Sequence, residues 1–238
     1  MLFPNTRSVS GTLYHSYFTW SRIQEVVTLE VLLRLTEIFI VANIWNTLSQ
    51  RYTYVGYGLV AYLSISALGG LVKLFPKTKP YLLSWLGSRQ NPLRWTEYFF
   101  SSSIMVLTVA WLVGIQDLLT LVGLFALNIA MITTGYLLET QKKNQGLWYT
   151  LGTLCFAVIW IILGLACRDY VGEYGYGAGI PFLVTFVLFC TFGVNAWLAI
   201  EQIGWYKNYY WVDISYVLLS IFSKSALMWT VWYVLQTT

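Results

Sequence analysis

The fold class is decided by the last apolar stretch of the chain, YVLLSIFSKSALMWTVWYVL at residues 216–235. An α-helix of about 20 apolar residues crosses the hydrocarbon core of a bilayer, and this stretch is that long. Its midpoint carries Lys224, although a lysine there costs about 2.5–3.5 kcal/mol on insertion scales. The ammonium group lies too far from either end to reach the lipid headgroups. We therefore expect Lys224 to be functional, to pair with a carboxylate, or to be converted chemically.

The composition of the whole chain is that of a membrane protein. Of the 238 residues, 58% are hydrophobic and 10% are charged, whereas a soluble domain carries about 25% charged residues. No basic cluster with interleaved aromatic residues indicates nucleic-acid binding. Cys155, Cys167, Cys190 and the single histidine, His15, lack the spacing of metal ligands. We expect one all-α membrane domain over residues 1–238, with no metal site and no enzymatic activity.

Seven apolar segments are long enough to cross a membrane. The links between them are polar, rich in proline and glycine, or very short, and Asp117 is placed to cap the fourth segment. The sequence therefore predicts a seven-helix multi-pass bundle. Its spans are residues 23–48, 55–75, 93–115, 118–140, 147–167, 180–203 and 212–235.

The distribution of lysine and arginine predicts the orientation of the bundle. Only Arg51 and Arg168 fall on the side opposite the N-terminus. Because cytoplasmic loops carry the excess of basic residues, the N-terminus is predicted to be cytoplasmic and the C-terminus extracellular. The basic residues on the N-terminal side are Arg7, Arg22, Lys73, Lys77, Lys79, Arg89, Lys142, Lys143 and Lys207.

Few ionisable residues remain inside the predicted spans. For Glu139 and Glu201, near span ends, the favoured interpretation is a carboxylate that reaches water. The first span has three charges on one helix face, for which a paired structural cluster is favoured over a functional one. In the last span Lys224 is expected to stand alone. The other ionisable residues are Glu30, Arg34 and Glu37 in the first span, Arg94 and Glu97 near the cytoplasmic start of the third span, and Lys224 in the seventh.

Glu97 is the predicted partner of Lys224. Both residues lie in the cytoplasmic half or centre of their spans, so that a similar depth is expected. Ser101 follows Glu97 by one helical turn and Ser220 precedes Lys224 by one turn, each on the same face. Trp, Tyr, Phe and Met dominate the remaining interior. A flat, conjugated, apolar ligand attached at one polar end would suit such a pocket.

Three segments of the chain resemble the heliorhodopsin family. They are RWTEYFFSSSIMVLTVAWLVGI at 94–115, NIAMITTGYLLE at 128–139 and SIFSKSA at 220–226. The resemblance extends from the third to the seventh span and is weaker in the first two. Members of this family lie with the N-terminus in the cytoplasm, which agrees with the orientation predicted from lysine and arginine.

The resemblance implies a role for individual residues. Lys224 would form a Schiff base with all-trans retinal, and Glu97 would be the counterion of the protonated imine. Ser220 and Ser101 would form hydrogen bonds near it, and Arg94 matches the arginine that precedes the third-helix carboxylate in microbial rhodopsins. The implied pocket residues are Tyr98, Met105, Asn128, Met131, Phe189 and Trp229.

The first two spans depart from the family pattern. Heliorhodopsins usually carry histidines there, which are thought to receive the released proton. The corresponding position in the second span here is Gly70, one turn after Ser66. The first external loop, residues 49–54, is also short, which reduces a dimer contact built from it. The proton-transfer candidates in this chain are Glu30, Glu37, Arg34 and Arg94.

Three functions are consistent with these observations. The favoured one is a light-sensing retinal photoreceptor with a slow photocycle and no ion pumping, because Ser220 stands where many pumps have a second carboxylate. Its expected partners are the lipid bilayer, retinal, a second copy of the chain and a cytoplasmic signalling protein. The alternative is a light-activated passive proton channel of the viral heliorhodopsin type. A minor alternative is a chromophore-free transporter in which Lys224 and Glu97 form a structural pair.

Overall fold

The computed structural model describes residues 6–44, 53–174 and 176–237, and for residues 6–19, 44, 174, 176 and 235–237 the backbone alone. Within these ranges the chain forms eight α-helices and no β-strand, as predicted for an all-α fold. Short 3₁₀ turns precede α7 and α8. The helices are α1 (Thr6–Ile44), α2 (Thr53–Leu74), α3 (Lys79–Gly87), α4 (Pro92–Leu112), α5 (Leu118–Thr140), α6 (Gln145–Tyr174), α7 (Gly179–Glu201) and α8 (Tyr209–Thr237).

Seven of these helices are long, and they correspond to the seven predicted spans. Each packs against the next long helix along the chain, and α8 returns to pack against α1, so that the seven form a closed ring. By length and composition, α2, α5, α6, α7 and α8 could each cross a membrane. Helices α1 and α4 are also long enough, but they carry buried ionisable residues. The short helix α3 lies in the predicted link between the second span (55–75) and the third span (93–115).

Several helices extend beyond the predicted spans. Helix α1 begins at Thr6 instead of residue 23, α6 continues to Tyr174 instead of 167, and α8 begins at Tyr209 instead of 212. A hydropathy window finds the part of a helix that is apolar enough for lipid, whereas the backbone hydrogen bonds of the helix continue into polar sequence. The predicted end of the first span at 48 lies outside the described residues.

Two helix starts position the residues of interest. Asn91 caps α4 by accepting a hydrogen bond from the Arg94 backbone N–H at 3.2 Å, and proline occupies the first turn, where its missing N–H costs nothing. The predicted cap at α5 is confirmed, because Asp117 accepts a hydrogen bond from the Thr120 N–H at 2.8 Å. The asparagine cap fixes the first turn of α4, which carries Arg94, and Glu97 follows one turn later.

Three sequence-based assignments of charged residues were wrong. Lys73, assigned to a loop, lies in the last turn of α2 and is 4% exposed. Lys224 is not the only charge in the last span, since Asp213 is 3% exposed there. Glu139 bonds to Arg94 instead of reaching water. The partners that neutralise these buried charges lie on another helix, α4. A hydropathy scan along one segment therefore does not reveal the pairing. Glu201 is exposed, as predicted.

Candidate functional site

Lys224 lies inside the ring of helices, and its amine forms hydrogen bonds to residues of two other helices. Its Nζ donates hydrogen bonds to Glu97 Oε1 and to Ser66 Oγ, each at 2.8 Å. The Tyr98 ring lies 5.4 Å from Nζ, within the range of a cation–π contact. Tyr62 donates a hydrogen bond to the Lys224 backbone carbonyl at 3.1 Å. The predicted pairing of Lys224 with Glu97 is therefore present in the structure.

Glu97 has a second cationic partner that was not predicted. Lys73 Nζ lies 2.8 Å from Glu97 Oε2, while Lys224 Nζ lies 2.8 Å from Oε1. The side chains of all three residues are at most 5% exposed. One carboxylate is thus shared by two amines, each on its own oxygen. Removing a buried charge from water is costly unless it is paired, and here each charge has a partner in direct contact.

Glu30 completes this cluster from α1. Its Oε1 lies 3.2 Å from Ser220 Oγ and 3.4 Å from Ser66 Oγ, and both hydroxyls are placed to donate to it. Ser66 Oγ also lies 2.9 Å from Glu97 Oε1, so its single proton can serve only one of the two carboxylates at a time. We call this set the lysine cluster, and its members are Glu30, Ser66, Lys73, Glu97, Ser220 and Lys224.

The predicted charge face of α1 is buried, but its members have different partners. Arg34 pairs with Glu37 at 2.6 Å. Arg34 also donates to Ser225 Oγ and to the backbone carbonyls of Ser220 and Ile221, each at 3.1 Å. The guanidinium thereby ties α1 to α8. Glu37 is committed to this ion pair, whereas Glu30 has no ion pair within 4 Å among the described residues.

A second buried cluster lies near the starts of α4 and α8. Arg94 Nη1 lies 2.5 Å from Asp213 Oδ1 and Nη2 lies 2.6 Å from Glu139 Oε1. The guanidinium also stacks over the Tyr216 ring at 4.2 Å. We call this set the arginine cluster. In its remaining contacts Asn91 Nδ2 donates to Asp213, Arg94 Nη2 donates to Tyr209 Oη and Trp95 Nε1 donates to Glu139. The members of the cluster are Asn91, Arg94, Trp95, Glu139, Tyr209 and Asp213.

A cavity of about 290 Å³ lies between α4, α5, α6, α7 and α8, with Lys224 on its wall. This volume is close to the lower limit of small-molecule pockets, roughly 300–1,000 Å³. Aromatic side chains of four helices form much of the lining. They are Trp95, Tyr98, Trp148, Tyr149, Phe156, Phe189, Phe192 and Tyr216.

Seven of the ten residues predicted to form the retinal site line this cavity, and Glu97, Asn128 and Trp229 do not. The residues that line it are Tyr98, Ser101, Met105, Met131, Phe189, Ser220 and Lys224. Asn128 is buried beside the cavity wall, where its amide donates to Ser102 and Ser103 at 2.8 and 2.9 Å. Trp229 is 43% exposed and packs against Trp232. The helical register of α8 turns Trp229 outward, so its assignment to the pocket was wrong.

The two predicted serines do not bond to the Lys224–Glu97 pair. Ser220 Oγ donates to Glu30, which lies on the neighbouring helix. Ser101 Oγ is buried on the cavity wall and has no hydrogen-bond partner among the described residues. The hydroxyl that contacts the pair is Ser66, which was noted in the sequence only as a neighbour of Gly70. Sequence spacing gave the faces of α4 and α8 but not the contribution of α2.

Ser66 and Lys73 carried one signal that could have identified them. They are seven residues apart in α2, which is two helical turns, so both fall on one face. Asp213 offered a weaker signal, as a carboxylate within the first predicted turn of the last span. The burial of all three residues against α4 could not be predicted without knowing which helices are neighbours.

The site fits a conjugated aldehyde ligand of the kind that the resemblance implies. An amine that lines an aromatic cavity supplies the nucleophile for an imine, and Lys224 meets that description. The Ser101 hydroxyl, which has no hydrogen-bond partner in the described part of the chain, supplies a polar contact on the same wall. The aromatic rings offer flat apolar surfaces suited to a polyene. The donor set and the shape of the lining are therefore both compatible with retinal.

Comparison with known proteins identifies a family and a fold. Residues 27–235 match the family model described as Heliorhodopsin. No curated protein sequence matches the chain. The match covers all seven long helices, at least in part, and both buried clusters.

Solved structures of rhodopsins share the fold at low sequence identity. A thermophilic rhodopsin is 15% identical, with a TM-score of 0.75 over 93% of this chain and 95% of that one. Xanthorhodopsin, described as a light-driven ion pump with dual chromophore, is 12% identical, with a TM-score of 0.73 over 92% and 94%. The rhodopsin of Exiguobacterium sibiricum is 13% identical, with a TM-score of 0.70 over 91% and 96%. These likenesses establish the fold of the chain.

Proposed function

The chain belongs to the heliorhodopsin family, whose members are light-responsive retinal proteins of membranes, and on that premise we propose that it is a light-sensing photoreceptor. In this proposal all-trans retinal is bound covalently to Lys224, the photocycle is slow and no ion is pumped. The observation that carries the proposal is the Lys224 amine on the wall of an aromatic cavity, 2.8 Å from the Glu97 carboxylate.

When bound at Lys224, retinal supplies visible absorption and a light-driven change of shape. Two residues near Lys224 Nζ would stabilise a positive charge there. Glu97 stabilises a positive charge there, and the face of the Tyr98 ring adds a weaker attraction. Tyr62 fixes the backbone of α8 at this point through its bond to the Lys224 carbonyl. A serine, Ser220, occupies the position one turn before Lys224, and among the described residues Glu97 is the one carboxylate that forms an ion pair with Nζ.

Glu30 is the proposed acceptor for a proton that leaves Lys224 Nζ. Ser66 Oγ connects the two, at 2.8 Å from Nζ and 3.4 Å from Glu30 Oε1. Glu37 and Arg34 are assigned a structural role instead, because they are paired with each other at 2.6 Å. Arg94 is likewise held by two carboxylates, so it is not part of the proposed route.

The absorption spectrum tests the proposal most directly. Protein supplied with all-trans retinal should absorb visible light, and Lys224→Ala should remove the band. Lys77→Ala, which changes an exposed lysine, is the control and should keep it. A colourless wild-type protein, or a band that survives Lys224→Ala, would overturn the assignment. Glu97→Gln should shift the band strongly, since it removes the negative charge beside Nζ.

A light-activated proton conductor is the second candidate function. It is favoured by Glu30, a buried carboxyl that is bonded only to hydroxyls among the described residues and lies one serine away from Lys224. Voltage clamp separates the two functions. A photocurrent that reverses with the proton gradient and is lost in Glu30→Gln supports conduction, and no photocurrent at any voltage supports sensing.

The proposed orientation has a cytoplasmic N-terminus and an extracellular C-terminus. Lys73 no longer counts as a loop residue because it is buried, but the remaining basic residues still favour the N-terminal side. Labelling of single cysteines placed at Lys77 and Arg168 from outside intact cells tests this orientation, and only the second should react. The homodimer and the cytoplasmic signalling partner stay predictions.

A further inference from the structure

Glu97 has a second cation, Lys73, in direct contact. Its two oxygens are divided between Lys224 at Oε1 and Lys73 at Oε2, at 2.8 Å each. Lys73 is not on the wall of the cavity that contains Lys224, so a ligand bound at Lys224 leaves the Lys73 amine free to keep its bond to Glu97. The family assignment and the proposed function give no role to this lysine.

The charged and titratable groups around Glu97 come from four helices, α1, α2, α4 and α8. The cations in direct contact are Lys73 and Lys224, and the carboxylate that lacks an ion pair within 4 Å among the described residues is Glu30. Arg34 is held by Glu37, and Asp213 is held by Arg94. Among the described residues these groups are Glu30, Arg34 and Glu37 from α1, Tyr62 and Lys73 from α2, Arg94 and Tyr98 from α4, and Asp213 and Lys224 from α8.

Loss of a proton from Lys224 Nζ removes one of the two cations at Glu97. The other, Lys73, stays in contact, and a buried ammonium that lost its counter-charge would be strongly destabilised. Protonation of Glu97 would cause this loss, because it would leave the Lys73 charge unpaired. Protonation of Glu30 carries no such penalty, since its contacts are neutral hydroxyls. The two carboxyl groups therefore differ in their ability to accept the proton, although Glu97 is closer to Nζ.

We propose that Lys73 is a positioning residue that keeps Glu97 ionised when Lys224 loses its proton and thereby directs that proton to Glu30. The inference rests on the proposed function. In the transfer, an N–H bond of Lys224 breaks and an O–H bond forms on Ser66, while the original Ser66 proton passes to Glu30 Oε1. Two protons each move one step, so the net result is the transfer of one proton from Lys224 Nζ to Glu30, and no electron is transferred.

Infrared difference spectroscopy of the retinal-loaded protein under illumination tests the inference, because a carboxyl that gains a proton acquires a distinct carbonyl-stretch band. In the wild-type protein this band should appear and should be lost in Glu30→Gln. In Lys73→Met the proton should settle on Glu97, so that the band should persist in the double variant Lys73→Met, Glu30→Gln. Lys73→Arg retains the charge and should restore the dependence on Glu30.

Two further variants make the outcome decisive. Lys73→Gln keeps a hydrogen-bond donor for Glu97 without the charge, so it should behave as Lys73→Met does and replaces it if the methionine variant fails to fold. Lys77→Met, in the exposed segment after α2, should behave as the wild type.

The inference is overturned if Glu30→Gln leaves the band in place while Lys73 is present. It is also overturned if Glu30→Gln removes the band equally with and without the Lys73 charge, or if no carboxyl band appears in the wild type. A protein that lacks visible absorption before illumination instead refutes the proposed function, and that result is read from the absorption spectrum alone.

Discussion

The lysine cluster and the arginine cluster are both buried in the same bundle, and they hold their charges in opposite ways. In the arginine cluster one cation, Arg94, is shared by two carboxylates, Asp213 and Glu139. In the lysine cluster one carboxylate, Glu97, is shared by two cations, Lys73 and Lys224. A guanidinium stays charged in proteins and binds carboxylates through a rigid fork, whereas amines and hydroxyls exchange protons.

The chemistry of the two clusters matches their positions. Arg94 joins the start of α4 to the end of α5 and the start of α8, with no proton to give up. The arginine cluster is therefore suited to brace the bundle. Lys224 lies on the cavity wall and is connected through Ser66 to a carboxyl that has no ion pair within 4 Å among the described residues. The lysine cluster is therefore suited to move a proton.

The largest expected effect is on stability, from removal of the arginine charge. Arg94→Gln leaves two buried carboxylates without a cation, and breaking a buried ion pair in this way costs about 3–5 kcal/mol. The free energy of unfolding, measured in detergent micelles, checks this value. Arg168→Gln, which changes an exposed pair with Asp169, should alter it by less than about 0.5 kcal/mol. Equal effects of the two substitutions would contradict a bracing role.

The next effect concerns the packing that supports the arginine cluster. A Cβ added at Gly135 would lie 2.5 Å from the Trp95 ring, and Trp95 donates to Glu139. Gly135→Ala should therefore destabilise the protein by about 1–3 kcal/mol, as overpacking does. Gly123→Ala is the matched control on the same helix, because a Cβ there meets no atom within 4 Å. If Gly135→Ala is as stable as Gly123→Ala, Trp95 is not held as described.

Ser66→Ala should have a smaller effect on stability and a specific effect on function. The hydroxyl bonds Lys224 and either Glu97 or Glu30, and a hydrogen bond contributes roughly 0.5–1.5 kcal/mol net. We expect a loss of that size in the free energy of unfolding, together with slower appearance of the carboxyl band of Glu30 after a flash. Ser64→Ala, on the same helix, should leave the rate unchanged. An unchanged rate in Ser66→Ala would exclude the serine as the link.

The smallest effect concerns a carboxylate outside both clusters. Asp117 is solvent-exposed, and the hydrogen bond from the Thr120 N–H lowers its pKa. Its contribution to stability is therefore fully present above the unfolded value of about 3.9 and is lost as the pH falls through the lowered folded value. Asp117→Asn keeps an acceptor without the charge, so the difference in unfolding free energy between variant and wild type should shrink over that range. A constant difference would contradict the cap interaction.

The sequence allowed much of the fold and half of the lysine cluster to be predicted. Hydropathy located the seven long helices because membrane helices must be apolar over a fixed length. A lysine at the centre of the last span required a counter-charge, and Glu97 was the carboxylate at a matching depth. The family resemblance agreed with both. The family resemblance implied most of the pocket residues, whereas helical spacing placed only Ser101 and Ser220 on the same faces as Glu97 and Lys224.

The other half of the lysine cluster and most of the arginine cluster were not predictable in the same way. Lys73 and Asp213 lie near helix ends, where a charged residue usually reaches water. Their burial depends on the rotation of α2 and α8 about their axes and on the presence of α4 beside them. The family resemblance assigned Trp229 to the pocket, and its outward orientation likewise depends on the rotation of α8 about its axis.

By itself, the sequence determined the number of long helices and the need of Lys224 for a partner, because the cost of burying backbone and charge in lipid depends on local composition. The tertiary structure alone decided that Lys73 and Lys224 both pair with Glu97. It also decided that Glu30, among the described residues, is bonded to the hydroxyls of Ser66 and Ser220. Lys73 lies 24 positions before Glu97, and Glu30 lies 190 positions before Ser220. Contacts over such separations are set by how the helices pack in the ring, and the proposed choice of Glu30 as the proton acceptor rests on them.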